Sequence, residues 1–197
     1  MKLWQKNTGS KIEVERFTIG RDPEFDAILA PFDVLGSMAH AIMLEKIGLL
    51  EADDLIMLKT GLKEIYLEIE KGQFKIEEGV EDVHSQVEFL LTHRYGEAGK
   101  KLHSGRSRND QVLVDLKLYY RAAIREIVEA TEELFGLLIQ LSDKHKNDLM
   151  PGYTHTQLAM PSSFGLWFGS FAEGLTEDLD LLQAAYRLSN KNPLGSA

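Results

Sequence analysis

From Arg108 to Lys146 the chain holds no proline, and only Gly136 interrupts a run of helix-forming residues. Val112, Leu116, Tyr119, Ala123, Ile127, Ala130, Leu134, Leu137, Leu138 and Leu141 recur through it at helical spacing. At 1.5 Å of rise per residue such a helix is roughly 55–60 Å long, more than a small globular domain is wide. A second long helix is expected from near Pro161, well placed at the first helical position, to about Lys191. Gly165 and Gly169 lie one turn apart in it and allow another backbone to approach closely. The short connection, Asn147 to Met160, makes the pair an antiparallel hairpin. Two such helices cannot cover their own apolar faces, so they call for further helices from more chain or from other subunits.

Upstream, three shorter helices are expected. The first runs from about Phe25 to Ile47, with a stripe of Ile28, Leu29, Phe32, Leu35, Ala39, Ile42, Met43 and Ile47 and a kink or join at Pro31. The second covers about Ala52 to Lys71 on Leu55, Leu58, Leu62, Ile65, Leu67 and Ile69. The third covers about Val80 to Tyr95 on Val83, Val87, Leu90 and Leu91. Gly48, Gly72 and Gly96 follow them as stop signals. The residues before Phe25 show no clear period and read as an arm. No strand-like alternation competes, so the fold class is all-α. A small helical domain is expected over residues 1–107, followed over 108–197 by the start of a long-helix bundle.

Several function classes are excluded at this level. A formal net charge of −9 is the wrong sign for a nucleic-acid partner. No apolar signal core follows Met1, and no uncharged apolar run reaches the roughly 20 residues of a membrane span. The absence of cysteine rules out disulfides and thiolate metal sites and suits a reducing cytoplasm. The six histidines (His40, His84, His93, His103, His145 and His155) form no helical pair at metal-binding spacing. There is no phosphate-binding glycine loop and no serine nucleophile elbow. Neither a cofactor nor a metal is expected.

Two polar motifs flank the long helix. The first is His103-Ser-Gly-Arg-Ser-Arg-Asn-Asp-Gln-Val112. Ser107 or Asn109 can cap the helix, and Asp110 in its first turn suits the dipole. A decorated helix cap is the plain alternative. Free N–H groups, a positive dipole end and the guanidinium forks of Arg106 and Arg108 nonetheless make a carboxylate-binding site, with Arg108 and Asn109 as a planar grip. The second motif is Pro151-Gly-Tyr-Thr-His-Thr-Gln157. His155 there is either a structural loop residue or a general acid–base group with a pKa near working pH.

Both motifs resemble signatures of the argininosuccinate lyases and the related delta-crystallins, within the fumarase/aspartase superfamily. Asp33-Val-Leu-Gly-Ser-Met-Ala-His40, Gly79-Val-Glu-Asp-Val-His-Ser-Gln-Val-Glu88 and Asn192-Pro-Leu-Gly-Ser196 agree with it as well. The resemblance implies cleavage of argininosuccinate to arginine and fumarate in a cytoplasmic homotetramer whose sites are shared between subunits. It implies that Ser107, Arg108 and Asn109, with Arg106 beside them, bind substrate carboxylates. It implies that Thr154 and Gln157 contact substrate and that His155 takes part in proton transfer. His84 and Glu81 fall in a segment near the family's site.

Two departures are visible. Thr18-Ile-Gly-Arg-Asp22-Pro-Glu-Phe-Asp26 stands where the family carries a serine-containing stretch, so no binding serine is assigned there. The third signature, a Gly-Ser-Ser-x-Met-Pro-x-Lys-Lys-Asn loop whose serine is thought to be the base, is absent. The expectation is therefore a fragment with negligible turnover by itself. The competing readings are another superfamily lyase, such as adenylosuccinate lyase or aspartase, and a non-catalytic structural or assembly protein of the delta-crystallin kind.

Overall fold

A computed structural model describes residue 17, residues 20–77 and residues 79–193. Most of the expected arm, including Thr18 and Ile19, and the end of the Asn192–Ser196 segment lie outside the described residues. The element order is α1 (Asp22–Lys46), α2 (Ala52–Glu70), α3 (Val83–Tyr95), α4 (Glu97–Lys101), α5 (Arg108–Lys144), β1 (Leu149–Thr154), β2 (Gln157–Ser163) and α6 (Phe164–Ser189). Helices dominate, as an all-α reading requires. The described residues group into two compact units, one up to Tyr119 together with Asn192 and Pro193, the other Tyr120–Lys191.

In the first unit Ala30, Val34, Ala41 and Leu44 of α1 pack with Leu58, Leu62 and Ile65 of α2 and Val83, Val87 and Leu91 of α3. The expected stripes of α2 and α3 supply these core residues. The stripe expected for α1 does not: Ile28, Leu35, Ile42, Met43 and Ile47 are all exposed. That helix is apolar on every side, so periodicity could not single out the core face, and the smaller residues won the close-packed position. Pro31 lies inside α1 without ending it. By length and mean hydropathy (1.6) α1 passes as a membrane span, yet Asp33 and Ser37 are among its buried residues and face the unit's own core. Asp82 caps α3 by accepting from Ser85 N at 2.7 Å, which starts that helix at Val83 rather than Val80.

The second unit holds the chief correction. The connection read as a loop is a two-stranded antiparallel hairpin, with Thr154 opposite Gln157 and Leu149 opposite Ser163. Its prolines, Pro151 and Pro161, pair with one another. A two-stranded ribbon tolerates them because each strand has a free edge where no donor is needed. Helix α6 accordingly begins after Ser163, whose hydroxyl accepts from Leu166 N at 3.1 Å, and not at Pro161. Gly165 makes the expected close approach: a Cβ there would lie 2.5 Å from Ser142 O and from Lys146 Cα.

Candidate active site

The first motif is held by a reciprocal cap. Asp110 Oδ2 accepts from Ser107 N at 2.7 Å and from Ser107 Oγ at 3.1 Å, while Asp110 N donates to Ser107 Oγ at 3.4 Å. This is a capping box with aspartate in the third helical position, and it selects Ser107 over Asn109 as the cap. Gly105 turns the chain into it at φ 69°, a left-handed backbone that glycine adopts without strain. Asn109 is exposed beside the helix N-terminus.

The two arginines are already engaged. Arg108 Nε pairs with Asp82 Oδ2 at 3.2 Å, and its two outer nitrogens donate to Ser85 Oγ at 3.0 Å and Gln111 Oε1 at 3.4 Å. These contacts use three of the five guanidinium N–H groups, so a carboxylate can take a second N–H on each outer nitrogen. Arg106 donates to Ser37 Oγ at 3.1 Å. Burial lowers its pKa, against the opposing pull of Asp33 and Asp115.

Beneath the motif lies a cluster that the sequence did not reveal. His84 Nδ1 donates to Asp33 Oδ1 at 2.8 Å and lies 3.7 Å from Asp115 Oδ2. All three side chains are buried, and together they bring one potential ligand atom each to within 4.8 Å of the others. They come from α1, α3 and α5, so no local spacing rule could have found them. Burial, reinforced by Asp33, pushes the Asp115 carboxyl up to about 8. Beside the cluster is a narrow cleft of about 10 Å³ lined in part by His84, Glu88, His103, Arg106 and Gln111. His103 and His40 are both shifted toward the neutral form by burial, and His40 Nε2 donates to Ser104 O at 2.8 Å. Glu81 is half-buried just before α3. Asp26, whose carboxyl burial pushes up, accepts from Val83 N at 3.2 Å.

The second motif belongs to the other unit. Thr154 ends β1, Gln157 begins β2, and His155 and Thr156 form the two-residue turn between them. All four are exposed. His155 and Thr156 have φ of 50° and 63°. These are the positive values of a type I′ hairpin turn, which ordinarily takes Asn and Gly. The result is an imidazole displayed at a hairpin tip.

A family model described as Lyase matches residues 9–197. The chain is 63% identical over 196 residues to an argininosuccinate lyase of Bacteroides fragilis, covering 100% of this chain and 44% of that protein. It is 44% identical over 203 residues to an argininosuccinate lyase of Methylococcus capsulatus, covering 100% of this chain and 43% of that protein. The chain thus spans less than half the length of these curated relatives. Among solved structures, an EDDS lyase variant with bound fumarate matches with a TM-score of 0.75 at 24% identity, over 96% of this chain and 38% of that one. A fumarate lyase:delta crystallin from Brucella melitensis matches with a TM-score of 0.74 at 17% identity, over 92% and 45% respectively. These two likenesses concern the fold.

Proposed function

The chain belongs to the lyase family, and from that premise we propose that it is the N-terminal part of an argininosuccinate lyase, which splits argininosuccinate into arginine and fumarate. The observation that carries this reading is 63% identity to argininosuccinate lyase across 100% of the chain. The capped helix start with Ser107, Arg108 and Asn109 gives it a physical basis.

The reaction breaks a C–H bond next to a carboxylate and then the adjacent C–N bond. Removing the proton leaves an aci-carboxylate with extra negative charge. That charge expels the guanidino nitrogen as the double bond of fumarate forms, and an acid returns a proton to the nitrogen. Because the C–H acid is weak, stabilising the anion is the main demand on the site. Arg108, Asn109 and Ser107 at a helix N-terminus meet it with charge-assisted bonds and a favourable dipole. Thr154 and Gln157 contact substrate, and His155 at the hairpin tip moves a proton. Arg106 and His84 complete the substrate-binding set, and Glu81 lies in the segment near it. The proposal includes a soluble, cytoplasmic homotetramer with shared sites. It divides the chain into an N-terminal helical domain over 1–107 and the first bundle helices over 108–197.

The test is fumarate release, followed by ultraviolet absorbance, from the full reading frame that encodes this segment. Argininosuccinate and adenylosuccinate are offered side by side. Turnover of argininosuccinate alone is expected. Turnover of adenylosuccinate alone refutes the substrate assignment, and turnover of neither refutes the catalytic one.

A further inference from the structure

Within the first unit three carboxylate oxygens are buried without a hydrogen-bond partner: Asp33 Oδ2, Asp115 Oδ1 and Asp115 Oδ2. Asp33 and Asp115 are 1% and 0% exposed. Ionised carboxylates in such places are strongly destabilising unless compensated. Arg106 is a near cation, yet it donates to Ser37 Oγ, and its own Nε is also buried without a partner. His84 serves only Asp33: its Nδ1 donates to Oδ1 at 2.8 Å but stands 3.7 Å from Asp115 Oδ2, which leaves Asp115 with no hydrogen bond at either oxygen.

We propose that Asp33 and Asp115 share one proton, and that this pair is the positioning device for the first motif. A proton on Asp115 turns an orphan acceptor into a donor, with a carboxylate oxygen of Asp33 within 4.8 Å of one of its own. It removes the repulsion between the two carboxylates, and so between α1 and the start of α5. Both arginines of the motif depend on that seam. Arg106 is anchored one turn beyond Asp33 on α1, at Ser37. Arg108 is anchored to Asp82 and Ser85, which flank His84 at the start of α3. The raised Asp115 carboxyl fits this arrangement, since burial above all, then Asp33 and Asp26, raise it while Arg106 opposes them. Beyond them, Arg106 also feels Arg108 and Glu88, His103 feels those charges together with Arg106 and His84, and His40 feels Arg106, His103 and Asp110. The role assigned to the seam rests on the reading that the first motif binds a substrate carboxylate. The shared proton does not.

The experiment follows the carboxyl carbons of Asp33 and Asp115 by NMR through a pH titration of this chain, alongside Asp115→Asn and Asp115→Ala. Asp115 is expected to stay protonated at neutral pH. Asp115→Asn, whose amide also donates to Asp33, keeps the amide signals of Arg106, Ser107 and Arg108 in place at every pH. Asp115→Ala displaces them. Fumarate affinity of the native chain falls about tenfold per pH unit once the proton leaves, while that of Asp115→Asn stays flat. Titration of Asp115 in the ordinary carboxylate range overturns the proposal. So does displacement of the motif in Asp115→Asn as large as in Asp115→Ala, or saturable Mn²⁺ binding at His84, which would make the group a cation site. Absence of fumarate binding at any pH, with the titration as expected, overturns the substrate-site reading and leaves the shared proton standing.

Discussion

Thr156 at φ 63° is a β-branched residue in a conformation that costs roughly 1–2 kcal/mol outside glycine and asparagine. Thr156→Gly is therefore expected to stabilise the hairpin by about 0.5–1 kcal/mol, the relief being partly offset by the flexibility of glycine. Slower amide exchange at Tyr153 and Leu158 checks it. His155→Asn places a residue suited to φ 50° at the other turn position. In the full reading frame it should leave the melting temperature unchanged or higher while fumarate release falls by about 10²–10⁴-fold, the span of general acid–base contributions. An equal loss of stability and activity would make the histidine structural. Asp115 carries a pH signature of its own. Its folded carboxyl sits at about 8 against an ordinary 3.8, so its stabilising contribution is complete below 3.8 and is lost as pH rises to about 8. Asp115→Asn lacks that dependence. Thermal or urea melts should show the variant gaining on the native chain across this window, by on the order of a few kcal/mol. The motif residues were legible because each is a chemical type in a long contiguous pattern. Asp33 and Asp115 were not, because one sits in an apolar run and the other on an ordinary helix face, and only packing brings them to His84.

Among the elements, the long helices and the α2 and α3 stripes were legible from period and from glycine stops. The failures have distinct causes. α1 is apolar all round, so the period carried no phase information. The hairpin was hidden by its prolines, which argue against a central strand but are harmless in an isolated ribbon. The same ribbon moved the start of α6 to Ser163, a cap that outranks Pro161 because its hydroxyl satisfies a free helix N–H. The glycine reading succeeded at Gly165, and it gives an element-scale prediction. A methyl group there would meet the backbone of α5 at 2.5 Å, a wall that cannot rotate aside. Gly165→Ala should cost about 1–3 kcal/mol, the usual range for overpacking, through separation of α6 from the end of α5. Gly174→Ala, where no atom lies within 4 Å of the added methyl, is the matched control and should be neutral or mildly stabilising. Equal effects at the two sites would show that Gly165 is not a contact point.

At the scale of the whole molecule the sequence carried the family more clearly than it carried the units. Lyase membership rests on contiguous motifs, whereas the division at Tyr119 falls inside an unbroken helix with no linker composition to mark it. What the long helices lack is cover. In the second unit Leu134, Leu137, Leu181 and Leu188 are 47%, 56%, 73% and 61% exposed, values that leucines on a finished bundle surface would not share. A groove of about 400 Å³ between α5 and α6 is walled by Ile124, Val128, Leu179 and Tyr186, with Arg125, Glu129, Glu132 and Asp180 among its charged lining residues. An apolar floor with a charged lining is the composition of an association surface. The chain should therefore associate in a concentration-dependent way in sedimentation velocity. Leu134→Glu with Leu181→Glu should weaken that association at least tenfold, about 1.4 kcal/mol or more, because each glutamate must be desolvated for the faces to meet. Ile56→Glu, at a residue 64% exposed on the first unit, should leave it unchanged. If the two substitutions act alike, association is general hydrophobic collapse. If only the pair on the long helices acts, those helices complete their core with another copy.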